Sequence, residues 1–347
     1  MSFTTNTKNL SLLVDSNNPL NYRNNLNNNS NKPLIIGISG ASGFLGLHLI
    51  SQLIKDSDVI KIKCFIRNRN KFNQKKMEFN LNFSEEKIEF HEDINYNNFK
   101  NITNFIHSAA QMHSLKNTPQ LWNDNVELTK KFLNITDSKF HYISSLSIFA
   151  SSNRKSTIDY CKPLENHLIY GGYAQTKWIS EYLTSQHPSH QILRLGLLTP
   201  SHTNPSFQKH EFFYLFIKLM KNLEIHPRNY EEAFVDISPV DEVAKIISKE
   251  IKSNTKIIHI ANQKSTSLSE ILEKLNTTPV DIKTWNERIK NLRKTEQVLL
   301  KYAFFKSEAL KQYFHYYNVD LFQSTGHTWN GNITSDIMCK YLENINV

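Results

Sequence analysis

The chain has 347 residues, 39% of them hydrophobic, and a formal net charge of +9, enough apolar material for one large or two modest cores. The positive balance implies a basic face toward nucleic acid, a membrane surface or an acidic protein, among which charge alone does not choose, and no stacking motif accompanies it to argue for nucleic acid. Three scattered cysteines, Cys64, Cys161 and Cys339, exclude a disulfide framework or a structural zinc site, and histidines 91, 107, 113, 202 and 210 lack ligand spacing.

Residues 1–32 are rich in Asn, Ser and Thr, with an asparagine run from Asn24 to Asn31. Such a segment buries too little apolar surface to offset its chain entropy and is expected to be a disordered tail. It has no charged-then-apolar leader pattern, so the expectation is a soluble cytoplasmic protein.

From Pro33 the character changes. Leu34 to Ile38 is a short apolar strand that meets a glycine-rich turn, and an amphipathic helix is expected from about Phe44. Gly40, Gly43 and Gly46 follow a G-x-x-G-x-x-G spacing. Glycine permits a tight turn and close approach to a pyrophosphate, and the helix amino terminus then offers N–H donors to the phosphates. Pro33 to Ile54 carries no charge, yet its four glycines, three serines, histidine and glutamine argue against a membrane span.

Val59 to Ile66 is the second expected strand, ending in Arg67-Asn68-Arg69. An acid here would accept from the ribose 2′-OH of NAD, whereas arginine suits the extra phosphate of NADP. No Asp or Glu lies between Lys61 and Lys76, so NADP(H) is the expected cofactor. Lys87 to Phe90 reads as a third strand, with Asp93 placed near an adenine. Ile102 to Ile106 is a fourth, and the small residues Ser108, Ala109 and Ala110 after it leave room for a cofactor ribose. A helical stretch from Leu121 to Leu133 carries Asn125. Phe140 to Ile143 is a fifth strand leading to Ser145, and Arg194 to Gly196 closes a sixth. Strands alternating with helical stretches to residue 200 predict an α/β, Rossmann-like, doubly wound parallel sheet.

Tyr173 and Lys177 lie four apart on a helical pattern and share a face. A nearby ammonium stabilises a phenolate, which makes the tyrosine a usable proton donor near neutral pH. Farther on, Phe212 to Leu223 and Ser267 to Leu275 read as helices and Lys256 to Ala261 as a strand. The two aspartates of Val235 to Asp241 are read as structural. Asn286 to Tyr302 is a basic helical pattern with Arg288, Lys290, Arg293, Lys294 and Lys301, read as a solvated face or a docking surface for an acidic carrier.

Together SGASGFLG, CFIRNRNK, FIHSAAQMHS, NDNVELTKKFL, GGYAQTKWISEYL and VDISPVDEVAKII resemble an extended short-chain dehydrogenase/reductase. The finer likeness is to the thioester reductase branch, the terminal reductase domains of nonribosomal peptide synthetases and carboxylic acid reductases, with fatty acyl-CoA reductases as relatives. The resemblance covers roughly residues 33–262. It implies a catalytic set of Ser145, Tyr173 and Lys177. It also implies cofactor contacts from Gly40, Ser42, Gly43, Phe44, Leu45, Gly46, Arg67, Arg69, Asp93, Ile94, Ser108, Ala109, Ala110, Asn125, Tyr173, Lys177, Leu197 and Leu198, with Lys177 on the nicotinamide ribose. The implied substrate is an acyl thioester on CoA or on an acyl carrier protein arriving in trans, reduced to an aldehyde and possibly an alcohol. Leu146-Ser147 stands where dehydratase relatives carry an Asp-Glu pair, and Phe149-Ala150 where epimerases often carry Tyr-Gly. The expected organisation is a tail at 1–32, an NADP-binding domain at 33–200 and a smaller, mainly helical substrate subdomain at 201–347, some of whose segments return to the sheet. A sugar-nucleotide or hydroxysteroid-type dehydrogenase or epimerase, and a non-catalytic NADP-sensing regulator, are the alternatives.

Overall fold

Leu34–Ser39 forms an interior strand of the sheet because nearly every residue in it is apolar, and a strand covered on both faces needs no alternation. In the computed structural model, residues 33–113, 116–149, 169, 171–202, 208, 211–228, 234–235, 237–261 and 266–290 are described. The asparagine-rich segment, Asp236, and Arg293, Lys294 and Lys301 lie outside them.

The strands are β1 (Leu34–Ser39), β2 (Val59–Phe65), β3 (Ile88–His91), β4 (Asn104–His107), β5 (Lys139–Ser145), β6 (His190–Leu195), β7 (Leu197–Thr199), β8 (Ile225–Pro227), β9 (Phe234–Val235), β10 (Ile237–Pro239), β11 (Ile257–Ile260), β12 (Thr266–Ser267) and β13 (Thr278–Val280). The helices are α1 (Phe44–Leu53), α2 (Arg69–Glu78), α3 (Tyr96–Phe99), α4 (Thr118–Trp122), α5 (Leu128–Ile135), α6 (Gly172–Ser185), α7 (Phe212–Leu223), α8 (Val240–Glu250), α9 (Leu268–Leu275) and α10 (Ile282–Lys290). Seven strands make one sheet in the order β11-β6-β5-β4-β1-β2-β3, and every neighbouring pair in it is parallel. The order reverses between β1 and β4, so a crevice opens at their carboxyl ends, where doubly wound sheets bind ligands.

One apolar cluster joins the sheet to α1 and α8 through Leu47, Ile50, Val243 and Ile247. A second, on the opposite face, joins it to α5 and α6 through Phe132, Ala174, Trp178 and Ile179. The expectation of an amphipathic first helix is corrected here. Seven consecutive residues, Phe44 to Ile50, are buried, because α8 covers the side that would otherwise face water. The chain supplies α8 and β11 after a long excursion, and β11 pairs in parallel with β6 at the edge of the sheet. A third cluster, from Phe213, Phe216, Leu272 and Trp285, holds α7, α9 and α10 together as a smaller body. Ser267 caps α9 by accepting from Ser269 N–H at 3.2 Å.

A buried ion pair fixes α6 to the sheet. Arg194 of β6 and Glu181 of α6 are both 0% exposed. Arg194 Nε donates to Glu181 Oε1 at 2.9 Å and Nη2 to Oε2 at 2.5 Å. Arg194 Nη1 donates to His259 Nε2 of β11 at 3.2 Å. A guanidinium only donates, so His259 carries its proton on Nδ1, and burial beside Arg194 pushes its pKa down to about 3.

Removing one partner of such a pair leaves an uncompensated buried charge. Glu181→Gln is therefore expected to cost about 3–5 kcal/mol and to lower Tm by about 10 °C, measured by thermal unfolding. An unchanged Tm would show that the pair does not hold α6.

Candidate active site at the carboxyl edge of the sheet

The glycine-rich turn is built by contacts that no side chain could share. Gly40 has φ +73°, and a Cβ there would lie 2.6 Å from Ala109 N. A Cβ on Gly46 would collide with Gly40 O. The small residues after β4 thus serve the turn itself, since backbone lies directly on backbone. Gly43 N–H donates to Gly40 O at 2.9 Å, and Gly43 starts α1 with no side-chain cap and no acidic residue in the first turn. The first-turn donors remain available to an anion. Ser42 is half-buried, while the Phe44 and Leu45 side chains are buried in the core, so these two can offer a ligand only their main chain. The residues fit a dinucleotide pyrophosphate.

The two arginines after β2 differ. Arg67 is 85% exposed, with Nη2 3.4 Å from Asp124 Oδ1, a pair that solvent screens. Arg69 is folded back: its guanidinium lies 3.3 Å above the Phe90 ring and pairs with Glu85. Its main-chain N–H donates to Glu92 Oε1 at 3.3 Å. Arg67 is the arginine presented at the strand end. Asp93 is exposed and Ile94 half-buried just beyond β3.

Asn125 lies in a π-helical turn, Asn123–Glu127, between α4 and α5, a local widening that often marks function. Its Oδ1 accepts from Gln111 N–H at 2.7 Å, and its Nδ2 donates to Gln111 O at 3.2 Å and to Thr176 Oγ1 at 3.0 Å. Both amide hydrogens and one oxygen lone pair are engaged on protein, so Asn125 braces the loop after Ala110 against α6. His107, buried at the end of β4, extends this brace. Thr129 Oγ1 donates to Asn125 O at 2.6 Å, so it must accept from His107 Nε2 at 2.9 Å. His107 Nδ1 then accepts from Ser39 Oγ at 2.6 Å. Burial first, and the Lys177 charge second, hold His107 neutral, well below its usual range. The sequence reading assigned this residue no part.

Ser145 ends β5, and Tyr173 and Lys177 stand on α6 above it. Ser145 Oγ accepts from Ser147 N–H at 3.1 Å, which leaves its own hydrogen to donate elsewhere. Lys177 is 2% exposed. Its Nζ donates to Ile143 O at 2.7 Å and lies 4.8 Å from the Tyr142 ring centre and 5.8 Å from that of Tyr173. Burial pushes its pKa down to about 7 against the opposing pull of Glu181. Gln175 anchors the helix start, donating to Ile169 O at 2.9 Å and accepting from Thr118. Leu197 and Leu198 are half-buried on β7, which pairs with β10 just beyond the end of β6. Among the described residues no group of three or more metal-ligating side chains occurs, and no helix is long and apolar enough to cross a membrane.

A profile of the NAD-binding family described as male sterility protein matches residues 38–82 and 74–247. The terminal R domain of the myxalamid PKS-NRPS pathway is similar in structure, with TM-score 0.75, 19% identity and coverage of 91% of each chain. A thiolation-reductase di-domain from an archaeal nonribosomal peptide synthetase gives TM-score 0.68 and 21% identity, covering 91% of this chain and 75% of that one. Probable polyketide synthase 32 of Dictyostelium discoideum is 25% identical over 354 residues, covering 77% of this chain. The chain spans only 6% and 11% of the length of two such curated relatives.

The lowered Lys177 value has a consequence for stability. A pKa of about 7 in the folded chain against 10.5 means that folding is penalised in full below about pH 7, and the penalty fades as pH rises to the unfolded value. Lys177→Met should raise Tm by about 5 °C near pH 6 and by far less near pH 10. A Tm that falls near pH 6 would show that the bond to Ile143 O outweighs the burial of the charge.

Proposed function

The chain belongs to the NAD-binding family described as male sterility protein, and on that premise we propose that it is an NADPH-dependent reductase of CoA-bound or carrier-bound acyl thioesters. The observation that carries this reading is Lys177, buried on α6 between the Tyr142 and Tyr173 rings and beside the strand that delivers Ser145. Its terminal reductase neighbours share the fold, and the joining of a thiolation domain to a reductase in the archaeal di-domain supports a carrier-bound substrate.

In this reading the main chain of Gly40 to Gly46 holds the pyrophosphate, Arg67 the 2′-phosphate, and the backbone after Ser108 the ribose. A reduced nicotinamide bound there supplies the hydride. Ser145 and Tyr173 donate to the thioester carbonyl oxygen. Both bonds strengthen as that oxygen becomes negative, so they favour the transition state over the bound substrate. Ser147 N–H holds Ser145 Oγ from behind, orienting its hydrogen toward the substrate. Lys177, as an ammonium, favours the charge that develops on Tyr173 when its proton moves. The Asn125–Thr176 bond and the Glu181–Arg194 pair keep α6 still while this happens. On the substrate the reduced carbon becomes a hemithioacetal as Tyr173 gives its proton to the oxygen, and that proton is released again as the C–S bond breaks, so that a thiol and an aldehyde leave.

The test is oxidation of NADPH with acyl-CoA and acyl-carrier thioesters, with free thiol measured in parallel. Wild type should release thiol as cofactor is consumed, and Tyr173→Phe should be slower by about a hundredfold or more. Consumption without thiol would contradict the reading. Arg67→Ala should weaken NADPH binding about tenfold and leave NADH binding almost unchanged. Equal weakening of both would remove Arg67 from the phosphate site.

A further inference from the structure

Burial works against the charge that the proposed reaction asks of Lys177. An ammonium has three hydrogens to place, and one of them goes to Ile143 O at 2.7 Å. The groups beside it are otherwise aromatic: Nζ lies over the Tyr142 ring, 4.8 Å from its centre, and 5.8 Å from the centre of the Tyr173 ring. Tyr142 precedes Ile143 on β5, so adjacent residues of one strand bring a ring and a carbonyl to the same ammonium. The titratable groups that face Lys177 are Glu181 and Tyr173 on α6, Tyr142 on β5 and His107 on β4, with Arg194 of β6 behind Glu181. Glu181 favours the charge, but its carboxylate is already bound by two nitrogens of Arg194. His107 is held neutral.

Tyr142 itself is buried, and its hydroxyl sits beside Ser180 and Thr129. Burial pushes its pKa well above the usual phenol range, so it remains a neutral ring. The face of such a ring is negative, and it attracts a cation within about 6 Å of its centre, most strongly where water is excluded. Lys177 meets both conditions. Resting on the thioester reductase reading, we propose that Tyr142 is a positioning residue whose ring face keeps Lys177 protonated and holds its ammonium beside Tyr173. The ring does this and the hydroxyl does not.

The experiment follows the side-chain carbon-13 shift of Lys177 in lysine-labelled protein over a pH series, with Lys177→Met to assign the signal. It is run on wild type, Tyr142→Phe, Tyr142→Leu and a protein carrying 3,4,5-trifluorophenylalanine at position 142. That last ring keeps its shape and loses its negative face, so it decides the matter even where Tyr142→Leu fails to fold. The pH profile of kcat/KM with NADPH and butanoyl-CoA is measured on the same proteins. Tyr142→Phe should titrate as wild type does. Tyr142→Leu and the fluorinated ring should lower the Lys177 pKa by about one pH unit. The alkaline limb of kcat/KM, where the ammonium is lost, should move down by the same amount. An unchanged pKa in the fluorinated protein, a shift in Tyr142→Phe as large as that in Tyr142→Leu, or a limb that stays while the pKa moves would overturn the inference alone. A wild type that reduces no thioester would overturn the reductase reading, and the titration would still decide whether the ring holds the charge.

Discussion

A guanidinium and a carboxylate, neither exposed to water, set the geometry on which the rest of this molecule depends. Arg194 reaches from β6 to Glu181 on α6, and each charge is tolerable only because the other is there. The pair fixes the height and rotation of the helix that carries Tyr173 and Lys177. Lys177, one helical turn from Glu181, is buried as well, and that carboxylate opposes its loss of proton. Structural and chemical demands on α6 therefore meet at a single carboxylate.

The same economy governs the turn at Gly40. Backbone packs on backbone there, with Ala109 against Gly40 and Gly40 O against Gly46. Spending no side chain on the turn leaves donors at the start of α1 open to an anion. A second linkage, from Ser39 through His107, Thr129 and Asn125 to Thr176, ties that turn to α6. The turn at Gly40 and the helix that carries Tyr173 and Lys177 are in this way one hydrogen-bonded body, and in the proposed reading that matters because small misplacements of reacting groups are costly in catalysis.

Much of the fold was legible in the sequence because its signals are local. Phe212 to Leu223 and Val59 to Phe65 announce themselves by periodicity and β-branched residues, and the glycine spacing marks the turn whatever surrounds it. What stayed hidden depends on partners distant in sequence. The burial of α1 on every side requires α8, some two hundred residues later. The diversion of Arg69 requires Phe90 and Glu85, so two arginines of equal promise on paper become one presented and one folded away. The π-turn at Asn125 leaves no compositional trace, since a run such as NDNVELTKKFL reads as unbroken helix. Ser145, Tyr173 and Lys177 could be named from spacing and resemblance, whereas the brace through His107 needed the tertiary contacts that give a buried histidine its donors and acceptors.

The measurement that tests the central claim most directly is the fate of the transferred hydrogen. NADPH deuterated at the transferable C4 position is to be incubated with an acyl thioester and the protein, and the product analysed by mass spectrometry. Deuterium on the former carbonyl carbon, with thiol released in equal amount, is the predicted result. Cofactor oxidation that yields unlabelled product, or no reduced acyl product at all, would contradict the account.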